Sequence, residues 1–293
     1  MRIREPSSPR GEGGWEGVAR HRGPASMLAL ALALAAAAAY LAGPPAWRLV
    51  TLGGDLPFYL AALPIAFHVL GPRFGAGLVA SLALSVATVD LLKDALDTPR
   101  PPRELWLAEA YGPGFPSGHA ASAASFWGFI ALAKPGLAQL ILAIGVPGLV
   151  AASRVALNVH YPIDVAGGLA LGYCVAALSW LAVNRGVNPA VMLASVSAYS
   201  AAVEVATLSR FEVPAAPLGA AVGVWLHFRL AGDRPLGLKA GLLGALLAIA
   251  VGSPAAVSDN ATLEFVSVMA AASLAVAAPA LAATLKRGGQ KLM

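Results

Sequence analysis

Leu91-Leu92-Lys93-Asp94-Ala95-Leu96-Asp97-Thr98-Pro99-Arg100-Pro101-Pro102 closes an apolar run that begins near residue 74. The pattern is helical up to Leu96. Pro99, Pro101 and Pro102 then force an extended exit, because proline offers no N–H and also restrains the residue before it. One cation therefore stands on the last turn of an apolar helix and a second just past its end. Lys93 and Arg100 converge only if the chain folds back. Residues of this kind ordinarily anchor a helix end among lipid headgroups, and Asp90, Asp94, Asp97 and Arg103 are open to the same reading.

The surrounding chain has the same character. Across 293 residues, 58% are hydrophobic, 12% are charged and the mean hydropathy is +0.72. Apolar runs of roughly 15 to 22 residues recur along it, which places it among polytopic all-α membrane proteins. Candidate spans are 27–43, 56–71, 74–96, 118–133, 136–157, 162–183, 189–209, 214–230, 236–252 and 261–285. The first six are separable from the last four near Asn184-Arg185-Gly186 and Asn188-Pro189. Three parts are expected: a disordered basic tail over 1–26, a membrane core over 27–186 and a C-terminal transmembrane extension over 187–293.

Charge fixes an expected orientation. Of the 20 lysines and arginines, 14 fall on one side of the alternating spans. The other six are Arg48, Lys93, Arg100, Arg103, Arg154 and Arg210. Positive residues accumulate on the cytoplasmic side, so both termini are expected in the cytoplasm and the Lys93–Arg100 end outside it, in a cell membrane. The net charge of +5 is scattered between apolar segments without aromatic interleaving, which speaks against nucleic acid as a partner. The tail holds Arg2, Arg4, Arg10, Arg20 and Arg22, and Met27 is a candidate for the true start. The Ala-rich first run also meets some criteria of a cleaved signal peptide, but its removal would leave an odd number of spans. Cys174 lies alone in an apolar run and reads as packing.

Two more groups of polar residues stand at helix ends on the Lys93 side. Pro116-Ser117-Gly118-His119 opens the fourth span, with Ser117 at a helix-capping position and Gly118 leaving backbone N–H groups accessible. Unsatisfied donors and the helix dipole both favour an anion there. Ser153-Arg154 closes the fifth span, and His160-Tyr161-Pro162 leads to Asp164 in the sixth. Asp164 follows His160 by four residues, near enough to accept a ring N–H and leave the other ring nitrogen free to attack. Three cations and helix-start donors suit a transferring phosphoryl group, which asks mainly for alignment and charge neutralisation. No acidic cluster suited to Mg²⁺ accompanies them, so no metal or other cofactor is expected.

Taken together these positions read Lys-x6-Arg-Pro, Pro-Ser-Gly-His and Ser-Arg-x5-His-x3-Asp. In this the chain resembles the type 2 phosphatidic acid phosphatase superfamily, and all eleven signature positions match. The resemblance implies a six-helix phosphatase core over roughly 27–183 and a metal-independent phosphomonoesterase or diphosphatase site. It implies that His160 attacks phosphorus to give a phosphohistidine and that Asp164 orients it. His119 would protonate the leaving oxygen, and Lys93, Arg100, Ser117, Gly118 and Arg154 would hold the phosphoryl oxygens. A polyprenyl diphosphate is the first expected substrate, ahead of phosphatidate-type or glycerophosphate lipids. A lipid-to-lipid phosphotransferase and a non-enzymatic lipid-binding or transport module are the alternatives, and water-soluble sugar phosphates stay open.

The last four spans carry one intramembrane carboxylate, Glu204, with Ser197 and Ser200 on its helical face. Such a residue is a functional candidate by default, and a hydrogen-bonded packing role is its ordinary alternative. His68 and His227 read as packed or interfacial, and His21 belongs to the tail.

Overall fold

A computed structural model of the protein describes residues 16–207, 215–252 and 261–290. Arg210, Lys291 and the tail arginines Arg2, Arg4 and Arg10 lie outside the described residues. The helices are α1 (Glu16–Ala42), α2 (Pro44–Thr51), α3 (Leu56–Leu70), α4 (Pro72–Leu96), α5 (Gly118–Ala133) and α6 (Leu137–Ala156). They are followed by α7 (Pro162–Asn184), α8 (Pro189–Thr207), α9 (Ala215–Ala231), α10 (Leu238–Gly252) and α11 (Ala261–Gln290). No strand occurs among the described residues, and the fold is that of an all-α polytopic membrane protein. α1 starts at Glu16, inside the stretch expected to be an irregular tail.

Each expected span has a helix, but not every helix is a full span. Among the described residues five are long and apolar enough to cross a membrane: Ala25–Ala42, α4, α6, α7 and α8. α2 and α3 form a pair bent by 44°, which counts as one broken span or a re-entrant segment. α5 has 16 residues. At 1.5 Å per residue it reaches about 24 Å, short of a hydrocarbon layer of roughly 30 Å. The stretch 44–55 lies between the first two expected spans. It holds α2 and a one-turn 3₁₀ helix over Leu52–Gly54.

Proline and glycine set the breaks. Gly71 has φ of 90°, a conformation that side chains with a Cβ avoid, and Pro72 then opens α4 at a position where its missing N–H costs nothing. Pro162 opens α7 in the same way.

α5 is the centre of the core, packed along α7 and flanked by α4 and α6. Its sequence supplies small residues where α7 comes close: Ala120, Ala121, Ala123 and Ala124 are wholly buried. In a membrane such small side chains let backbones approach, so dispersion contacts replace the hydrophobic drive that lipid cannot supply. Beneath the site a larger cluster forms where α3, α4, α5, α7 and α8 meet, built on Phe67, Leu78, Phe126, Phe129, Val183 and Leu193. Ser81 and Ser125 bridge α4 and α5 at 2.8 Å.

The C-terminal helices close on α3 and α4. α8 lies along α4, α10 along α3, and α11 packs against α9 and α10. His68 of α3 is fully buried by them, its Nε2 3.0 Å from the carbonyl of Ala275 and its ring stacked near His227 at 5.7 Å. Both histidines are therefore packed residues of this seam. On α8 the hydroxyl of Ser197 is spent on the Leu193 carbonyl, Ser200 is buried and Glu204 is half-buried.

Candidate active site

The C-terminal ends of α4 and α6 and the N-terminal ends of α5 and α7 all meet at one end of the bundle. The chain does fold back after α4, as convergence of Lys93 and Arg100 requires. Asp97 takes a left-handed conformation, and Thr98 then pins the returning strand of chain: its carbonyl accepts from Gly114 N at 2.8 Å and its hydroxyl from Phe115 N at 2.7 Å. The second and third motifs are tied directly, Ser117 N donating to the Asp164 carbonyl at 2.9 Å.

The result is a cavity of about 490 Å³ lined by Lys93, Arg100, Gly118, His119, Arg154 and His160, together with Thr51, Asp55 and the 108–111 loop. Lys93 is held by the carbonyl of Pro113. Arg100 is fixed through three carbonyls: Nε to Gly112 at 2.8 Å, Nη2 to Tyr111 at 2.7 Å and Nη1 to Val159 at 2.8 Å. Its Nη1 also lies 2.9 Å from His160 Nε2. These cations are built into a site and are not headgroup anchors free to swing in the interface.

His160 and Asp164 are 3% and 2% exposed. His160 Nδ1 lies 3.3 Å from Asp164 Oδ2, and the same oxygen accepts the backbone N–H of Tyr161 at 2.9 Å. A carboxylate on Nδ1 places the ring proton there and leaves Nε2 with its lone pair toward the cavity. Burial, reinforced by the positive charges of Arg100, Lys93 and Arg154, pushes the His160 pKa down to about 2. Both effects disfavour imidazolium, so the lone pair stays available throughout the physiological range. Burial also lowers Arg100 from its ordinary value, the charge of Asp164 opposing it.

Ser117 occupies the capping position of α5 but makes no capping hydrogen bond. Its hydroxyl is fully buried and unpartnered, and so is Nε of Arg154. Buried polar atoms without partners are costly, on the order of 1–3 kcal/mol each. Arg154 lines the cavity, whereas Ser117 lies behind its wall, next to the lining residues Gly118 and His119.

Two contributors were not legible in the motifs. Asp55 Oδ1 stands 2.6 Å from His119 Nε2, and Thr51 Oγ1 accepts from Arg154 Nη1 at 2.9 Å. Both come from the bent α2–α3 segment. The one available signal was Gly53-Gly54-Asp55 before an apolar run, on the same side as the motifs, and it reads equally well as a plain helix cap. Among the described residues, no group of three or more His, Cys, Asp or Glu is placed to hold a metal ion.

Residues 74–187 match the model of the PAP2 superfamily. The match covers less than half of the chain, and over that segment the protein is similar to the PAP2 superfamily. The segment runs from the first turn of α4 to just past α7 and contains all eight candidate site residues. The PAP2 match indicates phosphatase activity on phosphate esters, and the apolar helices indicate an integral membrane protein. No curated protein and no solved structure matches the chain. α1, α2, α3 and the C-terminal helices lie outside the PAP2 segment, and with them Thr51 and Asp55.

Proposed function

We propose that the protein is a metal-independent membrane phosphatase that hydrolyses a lipid phosphate or diphosphate, first among them a polyprenyl diphosphate, through a phosphohistidine. The observation that carries this reading is the buried His160, with Asp164 at Nδ1 and with Nε2 facing Arg100 in a cavity walled by Lys93, Arg100 and Arg154. Recognition of a headgroup would call for the cations but not for a nucleophile so arranged.

In this mechanism a phosphoryl group enters the cavity and takes over the Arg100 donor that lies against His160 Nε2 in the free protein. Lys93, Arg154, the Ser117 hydroxyl and the N–H groups at the start of α5 neutralise its oxygens. The Nε2 lone pair attacks phosphorus, the bond to the leaving oxygen breaks, and His119 delivers a proton to that oxygen. Water then attacks the phosphohistidine while His119 takes up a proton, releasing phosphate and restoring both rings. Asp164 accepts the Nδ1 hydrogen bond throughout.

The site lies at the end of the bundle that carries Arg48, Lys93, Arg100, Arg103 and Arg154, the side poor in positive charge. This supports an extracytoplasmic site and cytoplasmic termini in a cell membrane. Its position at helix ends supports an amphiphile whose tail remains in lipid. The proposed phosphatase core is 27–186, with the extension over 187–293 packed on it through α8 against α4 and α10 against α3.

The test is phosphate release by the purified protein in detergent with EDTA, across polyprenyl diphosphate, phosphatidate and glycerophosphate lipids. Release of free phosphate in EDTA is the expected result. Label transferred to a second lipid instead would establish a phosphotransferase, and activity that EDTA abolishes would remove the metal-free mechanism.

The pH dependence has a definite sign. The acid limb of kcat/KM reports the free protein, where the cations hold His160 neutral. A bound phosphate offsets those cations and eases protonation of the ring. The acid limb of kcat is therefore expected at higher pH than that of kcat/KM, once ionisation of the substrate is divided out. The turnover profile between about pH 4 and 9 is expected to be bell-shaped. A monotonic profile would contradict the pairing of one neutral and one protonated histidine.

A further inference from the structure

We infer that Asp55, which lies outside the PAP2 segment, is the positioning residue of the general-acid step. It holds the His119 ring so that Nδ1 delivers the proton to the leaving oxygen. The inference rests on the reading of His119 as the acid.

Three observations carry it. Asp55 occupies the capping position of α3, where an aspartate ordinarily accepts a backbone N–H of its own helix, yet it makes no such bond. Its carboxylate turns instead to His119 Nε2 at 2.6 Å, a charge-assisted distance. The turn bearing it is shaped for this approach. A Cβ on Gly54 would fall 2.9 Å from the His119 Cβ and 3.0 Å from Val150 Cγ1, so only glycine lets the 3₁₀ turn lie against α5 and α6. The turn is also fastened, by the Tyr59 hydroxyl on the Gly53 carbonyl at 3.3 Å and by Arg154 on Thr51.

The site thus contains two histidine–carboxylate pairs of different build. Asp164 and His160 are both deeply buried, whereas Asp55 and His119 have about a third and a quarter of their side-chain surface open to the cavity mouth. With Nε2 engaged by Asp55, the ring nitrogen left for the substrate is Nδ1. As the phosphorus–oxygen bond breaks, the Nδ1 proton passes to the leaving oxygen. In the second half-reaction Nδ1 takes a proton from the attacking water. Asp55 stays ionised in both steps and offsets the imidazolium charge against the neighbouring Arg154 and Arg100, the other charged groups within reach of the ring.

The test compares Asp55→Asn and Asp55→Glu with the full-length parent on two substrates. p-Nitrophenyl phosphate has a leaving group that departs with little help from an acid, and octyl phosphate has one that needs a proton. For octyl phosphate, Asp55→Asn is expected to lower kcat by about 10²-fold, the usual contribution of a positioned acid, with KM little changed. For p-nitrophenyl phosphate the loss is expected to stay within a few-fold, which also shows that the variant is folded. Asp55→Glu is expected to recover part of the octyl phosphate activity. Equal losses on both substrates, or no loss on either, would overturn the inference and leave the phosphatase reading intact. A parent that hydrolyses neither substrate, or one matched by His160→Ala, would overturn both.

Discussion

His160→Ala is expected to reduce phosphate release by about 10⁴-fold or more on every substrate the parent hydrolyses, with KM changed far less, since loss of a nucleophile removes the covalent route and leaves only positioning. The geometry makes this variant informative. His160 is a small part of the wall, and the contacts that hold the cavity open, from Thr98, Ser117 and Arg100, run mostly through backbone carbonyls and N–H groups that the substitution leaves in place. Acid-labile, base-stable label is expected on the parent protein after rapid quenching with a labelled substrate, and none on His160→Ala. Asp164→Asn is expected to fall between parent and His160→Ala. It keeps an acceptor oxygen near Nδ1 but loses the charge that supports the ring as it becomes cationic. Retention of more than about a hundredth of parental kcat by His160→Ala would exclude the phosphohistidine route.

The second large effect is on stability and comes from the seam between α5 and α7. A Cβ on Gly172 would collide with the Ala121 carbonyl and lie 2.8 Å from the Ala124 Cβ and 2.9 Å from Ser125 N. These are backbone and near-backbone atoms of a neighbouring helix, so no side-chain rotation relieves the clash. Gly172→Val is expected to destabilise by about 3 kcal/mol or more, seen as an apparent Tm in detergent lower by about 10 °C. Gly148→Ala, where nothing lies within 4 Å of the added methyl, is the matched control and is expected to be neutral or slightly stabilising. Gly168→Ala meets the Ser117 carbonyl. It is expected to cost activity out of proportion to stability, because it moves the start of α5 on which Ser117, Gly118 and His119 stand. Equal Tm for Gly172→Val and Gly148→Ala would show that α5 and α7 are not packed this closely.

Much of this was legible in the sequence because helix ends in a membrane are marked by residues with few alternatives. Pro72, Pro162 and Pro189 each begin a helix, and Lys93 to Pro102 marks an end within a residue or two. The three motifs sit beside those marks, so their convergence followed once the helices were taken to traverse the bundle side by side. Two things escaped. Helix length along the sequence does not reveal which apolar helices reach across, and α5 is too short to be counted as a span on its own. The stretch 44–55 is also too short and too polar for a span. There α2 and the 3₁₀ turn meet Arg154 and His119, residues far along the chain that no local pattern announces.

That distance has its own consequence for the making of the protein. Asp55 and His119 are 64 residues apart, and Thr51 and Arg154 are 103 apart. At about 5–20 residues per second, a ribosome takes roughly 3 to 13 s to bring the first pair into existence and about 5 to 20 s for the second. Through that interval the carboxylate of Asp55 is already at the bilayer surface with no histidine to meet, and the turn carrying it has nothing to lock against. A partly inserted chain therefore lacks both contacts. If His160 is the nucleophile as proposed, the site is complete only once α7 has brought Asp164 to it, so the order of synthesis would keep an unfinished chain inactive in the membrane it is being built into.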